Sequence, residues 1–78
     1  MTYQEIIQKA KSKGFNYLCR DSDGYYCAFV SEPIADDAYT FWRLLDNTEN
    51  KKLKGMGFAS DSCPAIDWKL SKIDLRKV

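Results

Sequence analysis

Histidine is absent from the 78-residue chain. Without imidazole the chain lacks the usual general base at neutral pH, the Ser–His and Cys–His nucleophile pairs, and imidazole metal ligands. Eleven carboxylates remain, and they are densest at Asp36-Asp37 and around Asp61 and Asp67. Neighbouring carboxylates in a loop point apart into water and do not form a desolvated acid/base pair. We therefore expect a protein that is not an enzyme, with no catalytic residue, no cofactor and no bound metal.

The chain has almost no excess of charge of either sign and no long apolar run. Twelve Lys and Arg residues against eleven Asp and Glu residues give a net charge of +1. This balance argues against a polyanionic mimic of DNA and against a strongly basic nucleic-acid binder. No apolar run approaches the ~18–20 residues of a membrane span, and residues 1–5 do not begin a signal peptide. We expect a cytoplasmic protein with no membrane partner.

Cysteines are few and odd in number: Cys19, Cys27 and Cys63. An odd count without a secretion signal indicates reduced thiols rather than a disulfide framework. A bridge between Cys19 and Cys27 stays open as an alternative to two buried thiols. The apolar fraction of 45% with 14% aromatic residues is too high for a disordered chain. The length allows one domain, over residues 1–78.

The first segment predicts a helix over residues 2–13. Thr2 and Glu5 have the spacing of a capping box, and Gly14 is placed to end the helix in the left-handed conformation. Apolar residues recur at helical spacing, and lysines follow near the end, where the helix dipole favours cations. The apolar residues are Tyr3, Ile6, Ile7 and Ala10, and the lysines are Lys9, Lys11 and Lys13.

A hairpin follows, with strand-forming segments at 15–20 and 25–30 around a turn at 21–24. Asp21 and Gly24 suit a type I turn followed by a left-handed glycine. The resulting register pairs Cys19 with Cys27, whereas a two-residue turn would place these cysteines on opposite faces. In the favoured register one face carries Phe15, Tyr17, Cys19, Tyr25, Cys27 and Phe29, and the other carries Leu18, Arg20, Tyr26, Ala28 and Val30.

The rest of the chain predicts further strands. In chain order we expect a loop (31–38), a strand (39–45), a turn (46–50), a strand (51–58), a connection (59–65) and a last strand (67–78). Gly55-Met56-Gly57 indicates an irregular strand rather than a nucleotide-binding loop. In the last segment the apolar residues switch from even to odd positions, which predicts a bulge near Ser71-Lys72. Together the segments predict an α+β fold, with the N-terminal helix packed on a four- to five-stranded antiparallel sheet.

The aromatic residues are more numerous than one covered sheet face can bury. Exposed Tyr and Trp beside Arg are typical anchors of protein interfaces, whereas Phe41 and Trp68 are assigned to the core. The residues that we expect to contact a partner are Tyr25, Tyr26, Tyr39, Trp42 and Arg43. The lysines Lys51, Lys52 and Lys54 with Arg43 are also typical of a stripe that binds single-stranded nucleic acid or a nucleotide. A strand edge protected by lysines is the simpler interpretation.

Near the end of the chain stand Ile66-Asp67-Trp68-Lys69 and then Ser71. With the opening helix, the Asp-x-Asp-Gly hairpin and the Trp42 strand, they resemble short accessory proteins of phages and prophages that end in a Trp-x-x-Ser segment. Such proteins are non-enzymatic and act in the host cytoplasm. Some block bacterial defence by binding an effector complex (anti-CRISPR proteins), and others sequester a signalling nucleotide (Thoeris anti-defence sponges). The resemblance implies an inhibitor of a host complex, with a nucleotide sponge as the alternative.

The strand at 39–45 has apolar residues on both sides, and the helix can cover only one face of the sheet. A two-fold homodimer that buries Trp42 and Leu44 would cover the other. Alternatively, the segment at 31–38 or at 59–65 folds over that face in a monomer. The sequence leaves both open and favours the homodimer.

Overall fold

A computed structural model describes residues 1–36, 38, 41–44, 52–61 and 67–78, with the backbone alone at 52–55. These residues form helix α1 (Tyr3–Ser12), six strands and two short 3₁₀ helices. The strands are β1 (Tyr17–Arg20), β2 (Tyr26–Phe29), β3 (Ile34–Asp36), β4 (Phe41–Arg43), β5 (Lys52–Gly57) and β6 (Ile73–Asp74). The 3₁₀ helices span Trp68–Leu70 and Leu75–Lys77. The predicted turn at 46–50, and Asp37, Tyr39, Lys51 and Cys63, lie outside the described residues.

The main sheet is antiparallel, with the strand order β5-β2-β1-β6. Strands β3 and β4 form a separate antiparallel pair. Helix α1 packs on the main sheet through Ile6, Ile7 and Ala10, which are all buried. The predicted α+β fold is therefore confirmed, with four strands in the main sheet and a second, two-stranded sheet.

The helix begins at the predicted capping box. The Glu5 backbone amide donates to Thr2 Oγ1 over 3.2 Å, and the Thr2 amide donates to Glu5 Oε1 over 2.7 Å. These two bonds satisfy amides at the helix start that have no partner within the helix. After Ser12 the chain turns through Gly14, which has a φ of +84°.

The predicted hairpin register is confirmed. Cys19 lies opposite Cys27, and the Asp21 amide donates to the Tyr25 carbonyl over 2.8 Å. The Gly24 amide closes the turn on the Asp21 carbonyl over 3.0 Å, and Gly24 has a φ of +94°. Because side chains alternate along a strand, this register decides which of them face the helix.

Each face of the hairpin contributes to its own apolar cluster. The cluster on the helix side contains Ile6, Ile7, Ala10, Leu18, Tyr26, Ala28, Met56, Ala59 and Leu75. The cluster on the other side contains Cys19, Cys27, Phe29 and Trp42. The two sets follow the predicted alternation, except that Phe15 packs on the helix side.

The prediction of a loop over the whole of 31–38 is wrong. Residues Ile34–Asp36 form β3 and pair with β4, in a register that places Ala35 opposite Trp42. Ala35 and Leu44 pack against the second cluster, in which the exposed fraction of Trp42 is 3%. The face of the main sheet away from the helix is thus covered within the chain. The segment at 31–38, which contains β3, is one of the two segments predicted to cover this face in a monomer. Trp42 is therefore buried without a second copy, and the homodimer stays a prediction.

The predicted last strand over 67–78 is also wrong, because Trp68–Leu70 and Leu75–Lys77 are 3₁₀ helices on either side of the two-residue β6. Asp67 and Asp74 cap them, accepting from the amides of Lys69 (3.0 Å) and Arg76 (2.9 Å). Local bonds of this kind compete with a strand ladder. The switch of apolar residues from even to odd positions is therefore explained by the first 3₁₀ helix and not by a bulge at Ser71-Lys72.

The irregularity predicted from Gly55-Met56-Gly57 is confirmed in β5. Tyr26 pairs with Gly57 and Ala28 with Leu53, so two steps along β2 match four steps along β5. Gly57 has a φ of +97°, a conformation that favours glycine. No helix in the described part of the chain is long and apolar enough to cross a membrane.

Candidate partner-binding surface

Of the residues expected to contact a partner, Tyr25 is exposed and two others are buried. The exposed fraction is 43% for Tyr25, 6% for Tyr26 and 3% for Trp42. Arg43 is half-buried, and its Nε donates to Asp36 Oδ2. Tyr39 and Lys51 lie outside the described residues, as do the side chains of Lys52 and Lys54. The structure therefore does not bring the predicted set together on one surface.

Tyr26 was expected at the surface and is buried because β2 is an inner strand of the main sheet. Its ring faces the helix and lies 5.6 Å from the ring centroid of Tyr3. Burial and the neighbouring Tyr26 both raise the pKa of the Tyr3 phenol. Both tyrosines thus contribute to the helix-side core rather than to a binding surface.

Trp42 was expected at the surface and is buried because its polar atoms find partners inside the fold. Its indole Nε1 donates to the carbonyls of Arg20 (3.0 Å) and Trp68 (3.3 Å). Its backbone amide donates to Asp21 Oδ1 over 3.0 Å. The ring meets Trp68 edge to face at 6.2 Å. Trp42 therefore joins the second sheet to the main sheet, and the assignment of Trp68 to the core agrees with this contact.

Among the described residues, the exposed aromatic side chains are those of Tyr25 and Phe58, which we call the aromatic pair. Their ring centroids are 4.0 Å apart, and Phe58 is 51% exposed. The pairing of Tyr26 with Gly57 places these two residues next to each other at the end of β2 and β5. Phe58 is not among the residues that the sequence predicts to contact a partner. It is the last residue of the strand predicted at 51–58, and its place before Ala59-Ser60-Asp61 is the signal of exposure that the sequence offers.

Backbone geometry holds the aromatic pair in place. The Tyr25 amide donates to Asp23 Oδ1 over 3.0 Å, within the turn that β1 and β2 share. A Cβ atom at Gly24 would lie 3.0 Å from Phe58 Cε1, so the Phe58 ring lies directly on the turn backbone. The glycine is therefore needed both for its positive φ and for the space that the ring occupies.

One carboxylate, Asp23, lies beside the aromatic pair, and two others, Asp61 and Glu5, lie at the start of α1. Asp23 belongs to the same turn, and Asp61 follows Phe58 and accepts from the Tyr3 amide over 2.8 Å. Glu5 lies in the first turn of α1, where bonding to Thr2 lowers the pKa of its carboxyl. The amino group of Met1 lowers that pKa further, and Asp61 opposes it.

Basic residues collect at the opposite end, where α1 stops and β1 starts. The C-terminal segment docks there, with the Leu75 amide donating to the Asn16 carbonyl over 2.7 Å and Lys11 Nζ donating to the Val78 carbonyl over 2.7 Å. We call this set the basic end; it comprises Lys9, Lys11, Lys13, Arg76 and Lys77. In the described part of the chain, carboxylates therefore lie near the first turn of α1 and lysines near its last turn.

The cysteines of the hairpin are buried thiols that form no disulfide. Cys27 Sγ donates to Asp21 Oδ2 over 3.1 Å, and burial, with Cys27 nearby, raises the pKa of the Cys19 thiol. Asp21 and Asp23 belong to an ordinary turn, since the Asp21 carboxylate faces inward to Trp42 and Cys27. In the described residues no group of three or more His, Cys, Asp or Glu side chains is arranged to hold a metal ion.

No protein-family model, curated protein or solved structure matches the chain.

Proposed function

We propose that the protein is a small non-enzymatic binding protein that inhibits a host complex by direct contact. The aromatic pair carries the proposal, because Tyr25 and Phe58 expose large rings side by side on a fixed backbone. Aromatic residues with few rotatable bonds are enriched among the residues that dominate binding energy at interfaces. Their exposure at the end of the sheet leaves them open to a partner.

The proposed target is a bacterial defence complex in the host cytoplasm. This part of the proposal comes from the resemblance of the C-terminal segment, with Trp68 and Ser71, to phage accessory proteins. In the described structure these two residues support the fold: Ser71 Oγ donates to the Trp68 carbonyl over 2.6 Å and accepts from the Arg20 amide over 2.8 Å. The contact with the target is therefore assigned to the aromatic pair and not to the segment that carries the resemblance.

Cross-linking in living cells tests the contact. A photoreactive benzoylphenylalanine is placed at Tyr25, and separately at Lys13 in the basic end as a control. We expect a specific covalent adduct with a host protein from position 25 and none from position 13. Equal adducts from both positions, or none from position 25 in a host that supports the activity, would refute the assigned surface.

A functional assay tests the inhibition. Bacteria that carry a defence system are infected with phage while they express the protein, and plaques are counted. We expect the wild type to restore plaques and Phe58→Ser to lose this effect. Leu70→Ser is the matched control, because Leu70 is 77% exposed and ends the 3₁₀ helix before β6, the opposite edge strand. A loss of effect in Leu70→Ser with retention in Phe58→Ser would contradict the proposal.

A further inference from the structure

Burial does little to hold the Phe58 ring in its place beside Tyr25. Phe58 is 51% exposed, and its ring lies on Tyr25 and on the turn at Gly24. Because the stabilisation of an apolar side chain is roughly proportional to the area removed from water, a half-exposed ring gains less than a buried one. The position of the ring therefore depends on the backbone that carries it.

That backbone, at 58–61, follows the end of β5 and is tied to the start of helix α1. The Ser60 amide donates to the Met1 carbonyl over 2.7 Å. The Tyr3 amide donates to Asp61 Oδ1 over 2.8 Å. Two hydrogen bonds thus fix the segment that begins with the aromatic ring, and one of them is made by a side chain.

Asp61 accepts an amide that the helix cannot satisfy by itself. Tyr3 is the first residue of α1, and the first four amides of a helix have no acceptor within it. The capping residue Thr2 accepts from a different amide, that of Glu5, so Asp61 adds to the capping box. A carboxylate at this end also interacts favourably with the helix dipole. Asp61 therefore joins the segment after β5 to the first turn of α1, across 58 residues of sequence.

We propose that Asp61 is a positioning residue for the aromatic pair: its bond to the Tyr3 amide fixes the segment at 58–61 and so holds the Phe58 ring against Tyr25. This inference rests on the proposed function and names what regulates its binding surface. A partner that meets two fixed rings does not have to order a mobile side chain, which would cost affinity. The order of the helix start thereby controls how well the aromatic pair binds.

NMR of the purified protein tests the positioning without any partner. Asp61→Ala removes the acceptor, whereas Asp61→Asn keeps an oxygen that can accept the Tyr3 amide. We expect Asp61→Ala to weaken the cross-peaks between the ring protons of Tyr25 and Phe58. We also expect the Tyr3 amide to exchange with solvent about two- to fivefold faster, the effect of losing one hydrogen bond. Asp61→Asn should restore both measurements, because the bond and not the charge holds the segment.

Asp67→Ala is the matched control. The Asp67 carboxylate also accepts a backbone amide at the start of a helical turn, from Lys69 over 3.0 Å. Its removal should leave the cross-peaks between the aromatic rings unchanged. Equal weakening in Asp67→Ala and Asp61→Ala would indicate a general loosening of the fold and would overturn the inference. Unchanged cross-peaks in Asp61→Ala, or equal weakening in Asp61→Asn, would overturn it as well.

Thr2→Ala provides a second variant that retains Asp61 and loosens the helix start by removing its cap. If Asp61 transmits the order of the helix start, Thr2→Ala should weaken the ring cross-peaks in the wild type and have no further effect in Asp61→Ala. Such non-additivity is the sign of coupled residues. Additive effects of the two substitutions on the cross-peaks would contradict the coupling.

The infection assay separates this inference from the proposed function. We expect Asp61→Ala to need about two- to tenfold more expression than the wild type for half-maximal plaque recovery, the cost of ordering one side chain on binding. Asp61→Asn and Asp67→Ala should need the wild-type level. If Phe58→Ser abolishes plaque recovery while Asp61→Ala leaves the ring cross-peaks unchanged, the proposed function stands and this inference falls. If Asp61→Ala weakens the cross-peaks while Phe58→Ser retains plaque recovery, the positioning stands and inhibition through the aromatic pair falls.

Discussion

Asp21 connects the two sheets through a single carboxylate. Its Oδ1 accepts from the Trp42 amide, and its Oδ2 accepts from the Cys27 thiol. Asp21, Trp42 and Cys27 are all buried, so the Trp42 amide and the Cys27 thiol cannot donate to water instead. Both partners are donors, which is why a carboxylate, an acceptor through both oxygens, suits this position.

Replacement of Asp21 by Asn should therefore destabilise the fold. The amide can satisfy one donor but places its own NH₂ group against the other, and we expect a loss of about 1–3 kcal/mol in the free energy of unfolding. Urea denaturation followed by tryptophan fluorescence measures it. Asp23→Asn is the control, with an expected change within about 0.5 kcal/mol. An unchanged midpoint for Asp21→Asn would contradict the role of the carboxylate.

Cys19 and Cys27 should be unreactive in the native protein. Burial raises the pKa of the Cys19 thiol, so almost none of the reactive thiolate is present at neutral pH. We expect iodoacetamide to modify both residues only as fast as the chain unfolds, and rapidly in urea. Mass spectrometry of proteolytic peptides assigns the modified residue. Rapid native labelling of either cysteine would show that the hairpin face is open to solvent.

The sequence predicts the burial of a residue well where the neighbours that cover its side chain are close along the chain. The burial of Ile6, Ile7 and Ala10 follows from helical spacing alone. The burial of Tyr26 and Trp42 depends on partners far along the chain, β5 and the 3₁₀ helix at Trp68–Leu70. The exposed position of Phe58 also depends on a distant partner, because the pairing of Gly57 with Tyr26 places the Phe58 ring beside Tyr25.

At the scale of elements, helix α1 and the β1–β2 hairpin are predictable because their signals are local. The capping box, the terminating Gly14 and the turn glycine Gly24 lie within a few residues of the structure that they determine. Strand β3 is different. It has three residues, includes no strong strand former besides Ile34, and is held by pairing with β4. The short 3₁₀ helices likewise depend on Asp67 and Asp74 caps within a segment that resembles a strand by composition.

The capping box makes the start of α1 sensitive to acid. The Glu5 carboxyl has a pKa below its unfolded value, chiefly because its ionised form accepts the Thr2 amide. Its stabilising contribution is therefore present above the unfolded pKa and is lost as the pH falls through the folded pKa. We expect Glu5→Gln to reduce the loss of stability between neutral and acidic pH. Urea midpoints across that range measure it; equal pH dependence in both proteins would contradict the prediction.

Gly24 couples the turn to the aromatic pair. Gly24→Ala should cost about 1–2 kcal/mol for the left-handed backbone, and the added Cβ should also displace the Phe58 ring. Gly14→Ala is a matched control, since it has a similar φ of +84° with no atom within 4 Å of the added Cβ. We expect only Gly24→Ala to change the NMR signals of Phe58. Identical effects of the two substitutions would show that the ring does not rest on the turn.

At the scale of the whole molecule, the main sheet is covered on both faces by its own chain. The helix covers one face, and β3 and β4 with Trp42 cover the other. A second copy is not needed to bury Trp42, whose exposed fraction is 3%.

Unfolding of the protein should therefore not depend on its concentration. A dimer that buried essential core would unfold at a higher denaturant concentration as the protein concentration rises, because association stabilises the folded state. We expect the urea midpoints to stay constant over a roughly hundredfold series of protein concentrations, a range wide enough to reveal stabilisation by association. A midpoint that rises through the series, together with a two-subunit mass in sedimentation equilibrium, would restore the homodimer.

The direction of helix α1 has a kinetic consequence. Carboxylates lie near its first turn and lysines near its last, and these full charges outweigh the half-charges of the peptide dipole. In the field of a charged partner such a molecule experiences a torque before any contact forms, and it rotates one end forward as it diffuses. Its association rate should accordingly fall with ionic strength, despite a net charge of only +1.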